Sequence, residues 1–133
     1  MEICDFRFMK RAKKLIVIKY GGSILNKKDS NKRIIQVIKR LSQRNFVVVV
    51  HGGGLAISKE MTKMGIKPKF VNGLRYTDRT SLKAVKTVLE YIQNKIVGEL
   101  ENAQGLKGVV WGHRIKQLGY VGKFSRVNIR KIK

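Results

Sequence analysis

Two short β-branched runs, each closed by consecutive glycines and separated by a helical segment, constrain this chain more than any other feature. The first, Leu15-Ile16-Val17-Ile18, leads into Lys19-Tyr20-Gly21-Gly22-Ser23. The second, Phe46-Val47-Val48-Val49-Val50, leads into His51-Gly52-Gly53-Gly54. Such a pair flanking a helix reads as a βαβ unit, and continuous apolar character predicts strands buried on both faces, as in a parallel sheet. In an open parallel sheet the carboxyl ends of the strands border the ligand crevice. Glycine turns there leave backbone N–H groups bare around an anionic substrate, with Lys19 beside them, which points to phosphate chemistry.

The chain has 133 residues, one domain or part of one, enough to bury a core. No apolar run approaches the roughly 20 residues needed to span a membrane. Residues 1–14 form a basic N-terminal extension, and the run after them is too short for a secretory signal. Cys4 has no internal partner, which predicts a reducing, cytoplasmic setting. Thirty Lys and Arg against eight Asp and Glu give a net charge of +22. A basic surface attracts nucleic acid or acidic small molecules. The lysines are spread along the chain, and neither an RNA-recognition strand motif nor a zinc-finger spacing is present. A lysine-rich composition and a nucleic-acid role both stay open, and nucleic acid is not the favoured partner.

Taken in order, Leu15–Lys19 is the first strand. Ser30 or Asn31 caps a helix to about Gln43, with Ile34, Ile35, Ile38 and Leu41 on one face. A second helix runs from Leu55 to about Met64, and Gly65 ends it. The segment 66–71 is extended around Pro68, which lacks a ladder donor and belongs at an edge. Asn72-Gly73 is the strongest short turn signal, with Leu74-Arg75-Tyr76 after it. Thr77 or Asp78 caps the longest helix, Arg79 to Leu100, whose stripe is Leu82, Val85, Leu89, Ile92, Ile96 and Leu100. A loop at 105–108, a strand at Val109-Val110-Trp111 and a hairpin around 119–123 complete the pattern.

Three constellations carry chemistry. Lys19 with Gly21 and Gly22 places a point charge beside a glycine turn, suited to bridging phosphate oxygens; neither a Walker A nor a dinucleotide fingerprint is present. His51-Gly52-Gly53-Gly54 opens onto a helix N-terminus carrying about half a positive charge. Three successive glycines are hard to explain by packing, since each costs roughly 0.5–1 kcal/mol relative to alanine inside an element. His51 is a candidate base without a nearby carboxylate to orient it, and a structural role is the commoner one. The third constellation, Asn72-Gly73-Leu74-Arg75-Tyr76-Thr77-Asp78, delivers Arg75 just before a helix, where a guanidinium can grip a carboxylate; Lys67 and Lys69 are less suited. No metal ligand is assigned.

Lys-Tyr-Gly-Gly-Ser, Val-His-Gly-Gly-Gly and Asn-Gly-Leu-Arg-Tyr-Thr-Asp, in this order, resemble the N-acetylglutamate kinases of the amino-acid kinase family. Relatives that phosphorylate aminoadipate on an amino-group carrier protein share the pattern. Val88-Leu89, Asn94-Lys95 and Leu118-Gly119-Tyr120-Val121-Gly122 fit it too, and the likeness runs from about Leu15 to Asn128. The resemblance implies an α/β fold, an αβα sandwich around a mainly parallel sheet. It implies transfer of the ATP γ-phosphoryl group, with Mg²⁺, to the side-chain carboxylate of N-acetyl-L-glutamate in arginine biosynthesis. Lys19 would stabilise the transferring group, and Gly21 and Gly22 would contact ATP phosphates. Gly52 and Gly53 would hold the substrate and transferring group, Arg75 its α-carboxylate, and the long helix would lie at a homodimer interface.

Two departures shape the expectation. The family's Gly-Lys-Asp-Gly-like segment is shortened near Trp111-Gly112-His113-Arg114. The family's second half, with its nucleotide pocket and a second catalytic lysine, has no counterpart. Residues 15–133 are therefore expected to be the acetylglutamate-binding part of the domain, needing a chain with the missing half for catalysis. A carrier-bound aminoadipate kinase of lysine biosynthesis, a non-catalytic metabolite-binding module and a basic nucleic-acid-binding module are the alternatives.

Overall fold

The computed structural model describes residues 13–21, 27–120 and 122–132. Cys4, Phe6, Phe8 and Met9 of the basic extension, and Gly22 and Ser23 of the first glycine turn, lie outside the described residues. Strands β1 (Leu15–Tyr20) and β2 (Phe46–His51) pair in parallel, from Leu15 opposite Phe46 to Tyr20 opposite His51. Helix α1 (Lys28–Ser42) crosses between them, as the two runs required.

Helix α1 begins earlier than the cap signals suggest. Lys27 occupies the N-cap with extended backbone and no side-chain cap, so Ser30 and Asn31 lie inside the helix. The reason is tertiary: buried Asn31 accepts from the Tyr20 hydroxyl and donates to the Glu99 carboxylate at 3.4 and 3.5 Å. Burial raises the Tyr20 pKa, and nearby Glu99 adds to the rise. Ile35 and Ile38 are buried, with Ile34 and Leu41 partly so.

Helix α2 (Gly54–Lys63) ends before Gly65, whose φ of +72° suits a glycine there. Strands β3 (Lys69–Val71) and β4 (Leu74–Tyr76) form an antiparallel hairpin. Its turn residues Asn72 and Gly73 take φ of +49° and +77°, the left-handed pair that a type I′ turn demands.

Asp78 caps α3 (Arg79–Glu99), accepting from the Ser81 amide at 2.7 Å, which holds its carboxyl below the ordinary range. Thr77 is not the cap. It is fully buried and bridges to Gly119. The buried face of α3 is Ser81, Ala84, Val88, Ile92 and Ile96. Leu82, Val85 and Leu89 of the expected stripe flank that face, because Ser81 and Ala84, too small to read as a stripe, take the inward positions. Strands β5 (Val110–Arg114) and β6 (Gly122–Val127) form a second antiparallel hairpin with an irregularity between Trp111 and Gly112. Short 3₁₀ turns at Lys116–Leu118 and Ile129–Lys131 follow β5 and β6.

The core gathers Tyr20, Ile57, Met61, Ala84, Val88, Ile92 and Ile96, with Ile34 and Val49 packed against it. All three helices thus contribute to one face of the β1–β2 pair, the face carrying Tyr20. Burial of the strands on both faces, expected from their apolar runs, is not what the structure has. Side chains alternate across a strand, and those on the second side, Leu15, Val17 and Phe46, are 64%, 63% and 61% exposed. No helix among the described residues lies over them, and none is long and apolar enough to cross a membrane.

Candidate active site

Parallel pairing sets the ends of β1 and β2 side by side. Lys19 pairs with Val50, and Gly21 follows one residue after the Tyr20–His51 pair, where Gly52 and Gly53 also begin. The Lys19 side chain is exposed and belongs to the uncovered side of β1, opposite in sense to buried Tyr20.

The three glycines after β2 are not equivalent. A Cβ on Gly53 would meet Ile57 Cδ1 at 3.2 Å and Ile92 Cδ1 at 3.3 Å, so packing does explain this glycine, contrary to the sequence expectation. A Cβ on Gly52 or Gly54 would meet nothing within 4 Å, and neither residue has a left-handed backbone. Nothing in the described fold requires glycine at those two positions. Glycine at both positions leaves backbone open to close approach.

Gly53 is the N-cap of α2 and offers no side chain to its first-turn amides. Those N–H groups have no intrahelical acceptor and point along the positive end of the helix dipole. Arg75 comes to this same turn from β4. Its Nη2 donates to the Gly54 carbonyl and to Ser58 Oγ, each at 2.8 Å, and its Nη1 lies 3.3 Å from Met61 sulfur. Its guanidinium also stacks 4.8 Å from the Phe70 ring centroid. Burial lowers the Arg75 pKa from its ordinary value, but arginine stays cationic. A guanidinium, bare amides and Cβ-free backbone together suit a carboxylate. Ser58 and Phe70, which hold Arg75, were not among the sequence candidates. The one local signal for Ser58 is its four-residue step from Gly54, one turn along the same helix face.

The structure brings Arg75 to Gly52–Gly54 and brings Lys19 to the neighbouring strand end. It draws no direct contact between Lys19 and Arg75. Lys67 and Lys69 instead line a separate cavity of about 230 Å³ with Tyr76 and Asp78. His51 is half-buried with Nδ1 unpartnered, and burial lowers its pKa. Thr77 Oγ1 is likewise buried without a partner. Among the described residues no group of three or more His, Cys, Asp or Glu could hold a metal ion. The described residues therefore do not build a Mg²⁺ site of their own.

Residues 14–133 match the model of the amino acid kinase family, and the chain belongs to that family. It is 37% identical over 131 residues to acetylglutamate kinase of Clostridioides difficile, a match covering 90% of this chain and 46% of that protein. Acetylglutamate kinase of Methanopyrus kandleri is 40% identical over 129 residues, covering 84% of this chain and 49% of the relative. A solved structure from Streptococcus mutans superposes with a TM-score of 0.71 at 30% identity, over 87% of this chain and 51% of that one. The chain spans about half the length of the curated relatives it matches.

Proposed function

We propose that this chain is the acceptor-side part of an acetylglutamate kinase-like phosphotransferase and that Gly52, Gly53 and Arg75 bind N-acetyl-L-glutamate. The observation that carries the reading is Arg75, tethered against the first turn of α2, where Gly52 and Gly54 leave backbone uncovered without structural need. The guanidinium, whose Nη2 hydrogens are both committed to the tether, supplies the positive charge that holds the α-carboxylate, and the glycine amides take the acceptor end.

Residues 15–133 form this part of the domain, preceded by the extension 1–14. In the reaction, the side-chain carboxylate attacks the γ-phosphorus of ATP and ADP leaves, giving an acyl phosphate of the kind arginine biosynthesis uses. Phosphoryl transfer of this type depends on position and charge neutralisation more than on covalent help. Lys19 neutralises charge on the transferring group, and the backbone of Gly21 and Gly22 contacts the phosphates. Any Mg²⁺ would arrive with the nucleotide. A cytoplasmic location and a homodimer through α3 complete the reading.

Calorimetry tests it. N-acetyl-L-glutamate should bind the chain, and Arg75→Ala should weaken that binding about tenfold or more. Equal heats for both proteins would overturn the assignment. Turnover with ATP should need the second half of the domain; robust ADP release by this chain alone would refute that division. Retention of a nucleic-acid duplex without acetylglutamate binding would favour the basic-surface reading instead.

A further inference from the structure

A second cavity, of about 360 Å³, lies between α1 and α3, lined by Lys28, Asn31, Lys32, Lys95 and Glu99. Lys28, Asn31 and Lys32 sit at three- and four-residue steps on α1, and Lys95 and Glu99 one turn apart on α3, so both helices present these residues to one space. Three exposed lysines and one glutamate thus line it. None of the three lysines has an ion-pair partner among the described residues, whose salt bridges join Lys63 to Glu60 and Lys107 to Glu90. Glu99 is bonded to the Asn31 amide, and Asn31 is fixed in turn by the Tyr20 hydroxyl. The wall is thus built by a buried polar chain, and the three lysines on it outnumber the single carboxylate of Glu99. The uncapped first turn of α1, which begins at Lys28, adds bare N–H groups and dipole charge of the same sign. Asp29 lies in that turn but does not line the cavity.

We infer that this cavity binds a short oligophosphate. Its volume is that of roughly ten water molecules, enough for a di- or triphosphate. Ammonium groups are the point-charge donors that such an anion takes. The location is distinct from Gly52–Gly54 and Arg75, none of which lines it.

The test is titration of the full chain with inorganic tripolyphosphate in chloride buffer of about 0.1 M, where exposed, distant charges are screened. Binding is followed by calorimetry and by backbone amide shifts. Lys28→Gln/Lys32→Gln/Lys95→Gln should weaken binding about tenfold or more. The charge-matched Lys83→Gln/Lys86→Gln/Lys116→Gln should change it less than about twofold. Glu99→Gln keeps an acceptor for Asn31 while deleting the one negative charge, and should tighten binding. Amide shifts should cluster at 28–32 and 95–99. Equal weakening by the two triple variants, or shifts spread over the whole basic surface, would overturn the site. Repeating the titration with ATP separates sources: equal affinity marks recognition of the phosphate chain alone, tighter ATP binding marks a nucleotide, and either supports the cavity.

Discussion

One guanidinium nitrogen of Arg75 donates to the Gly54 carbonyl oxygen at 2.8 Å, so a side chain from the β3–β4 hairpin is fastened to the helix turn it serves. Because Ser58 Oγ takes a second bond at the same distance, the guanidinium has little rotamer freedom left to lose when a carboxylate arrives. Arg75→Ala should weaken N-acetyl-L-glutamate binding by about 1.5–3 kcal/mol, the range for hydrogen bonds to charged groups. Arg75→Lys should fail to restore it, since an ammonium cannot reproduce the planar fork. Ser58→Ala, which removes only the tether, should cost less than either. Binding isotherms for the three variants check this order.

The glycines after β2 should separate stability from binding. Gly52→Ala meets open space and needs no left-handed backbone, so it should leave stability unchanged or raise it by about 0.4–1 kcal/mol. It should nonetheless reduce ligand affinity, because the added methyl stands where backbone must be approached. Gly53→Ala presses on Ile57 and Ile92 and should destabilise by about 1–3 kcal/mol. Urea unfolding beside calorimetry reads both quantities.

Thr77 and Gly119 form the tie between the start of α3 and the β5–β6 hairpin. Thr77 N–H donates to the Leu118 carbonyl at 3.0 Å, and Tyr120 N–H donates to the Thr77 carbonyl at 2.7 Å. A Cβ on Gly119 would fall 2.2 Å from the Thr77 carbonyl oxygen, and Gly119 has φ of +69°. Gly119→Ala should therefore cost about 3 kcal/mol, through overpacking and backbone strain together. Thr77→Val should be neutral or stabilising, since the hydroxyl it removes is buried without a partner. Gly119→Ala should lower the denaturant midpoint, and Thr77→Val should hold or raise it.

His51 gives the chain an acid sensitivity above the carboxylate range. Burial lowers its folded-state pKa below the ordinary 6.5, with a weaker opposing contribution from the Gly52 backbone. As pH falls through 6.5 the unfolded chain takes up the proton first, so stability is full above that value and declines below it. His51→Gln should flatten the dependence between about pH 7 and pH 5. An unchanged slope in urea midpoints across that range would contradict the assignment.

Features fixed by neighbours in sequence were legible, and those fixed across the fold were not. Asn72-Gly73 announced its hairpin because only a few residue types tolerate two left-handed positions in succession. The glycine-ended runs announced their parallel pairing because β-branched residues bounded by turns and joined through a helix have few other packings. The sequence offers Ser30 or Asn31 as a cap, since nothing local reveals that Tyr20 and Glu99 meet Asn31 in the interior. The necessity of Gly53 lay hidden in Ile92, 39 positions further on. Arg75 is proposed as a carboxylate ligand from residue type and resemblance, whereas its tether to Ser58 depends on how β4 lies against α2. Alternation within β1 was masked by its composition, because Leu15 and Val17 are as apolar as Ile16 and Ile18.

The bare side of β1 and β2 makes the integrity of these strands a matter of linkage. Any polypeptide that shields Leu15, Val17 and Phe46 withdraws three large, already partly covered side chains from water, at roughly 1–2 kcal/mol apiece when shielding is complete. That free energy is added to folding by mass action, so the apparent melting temperature rises with the concentration of the shielding species. Lys19 sits on the same strand and side, and the order of its backbone is therefore set partly by whatever occupies the reverse of the sheet.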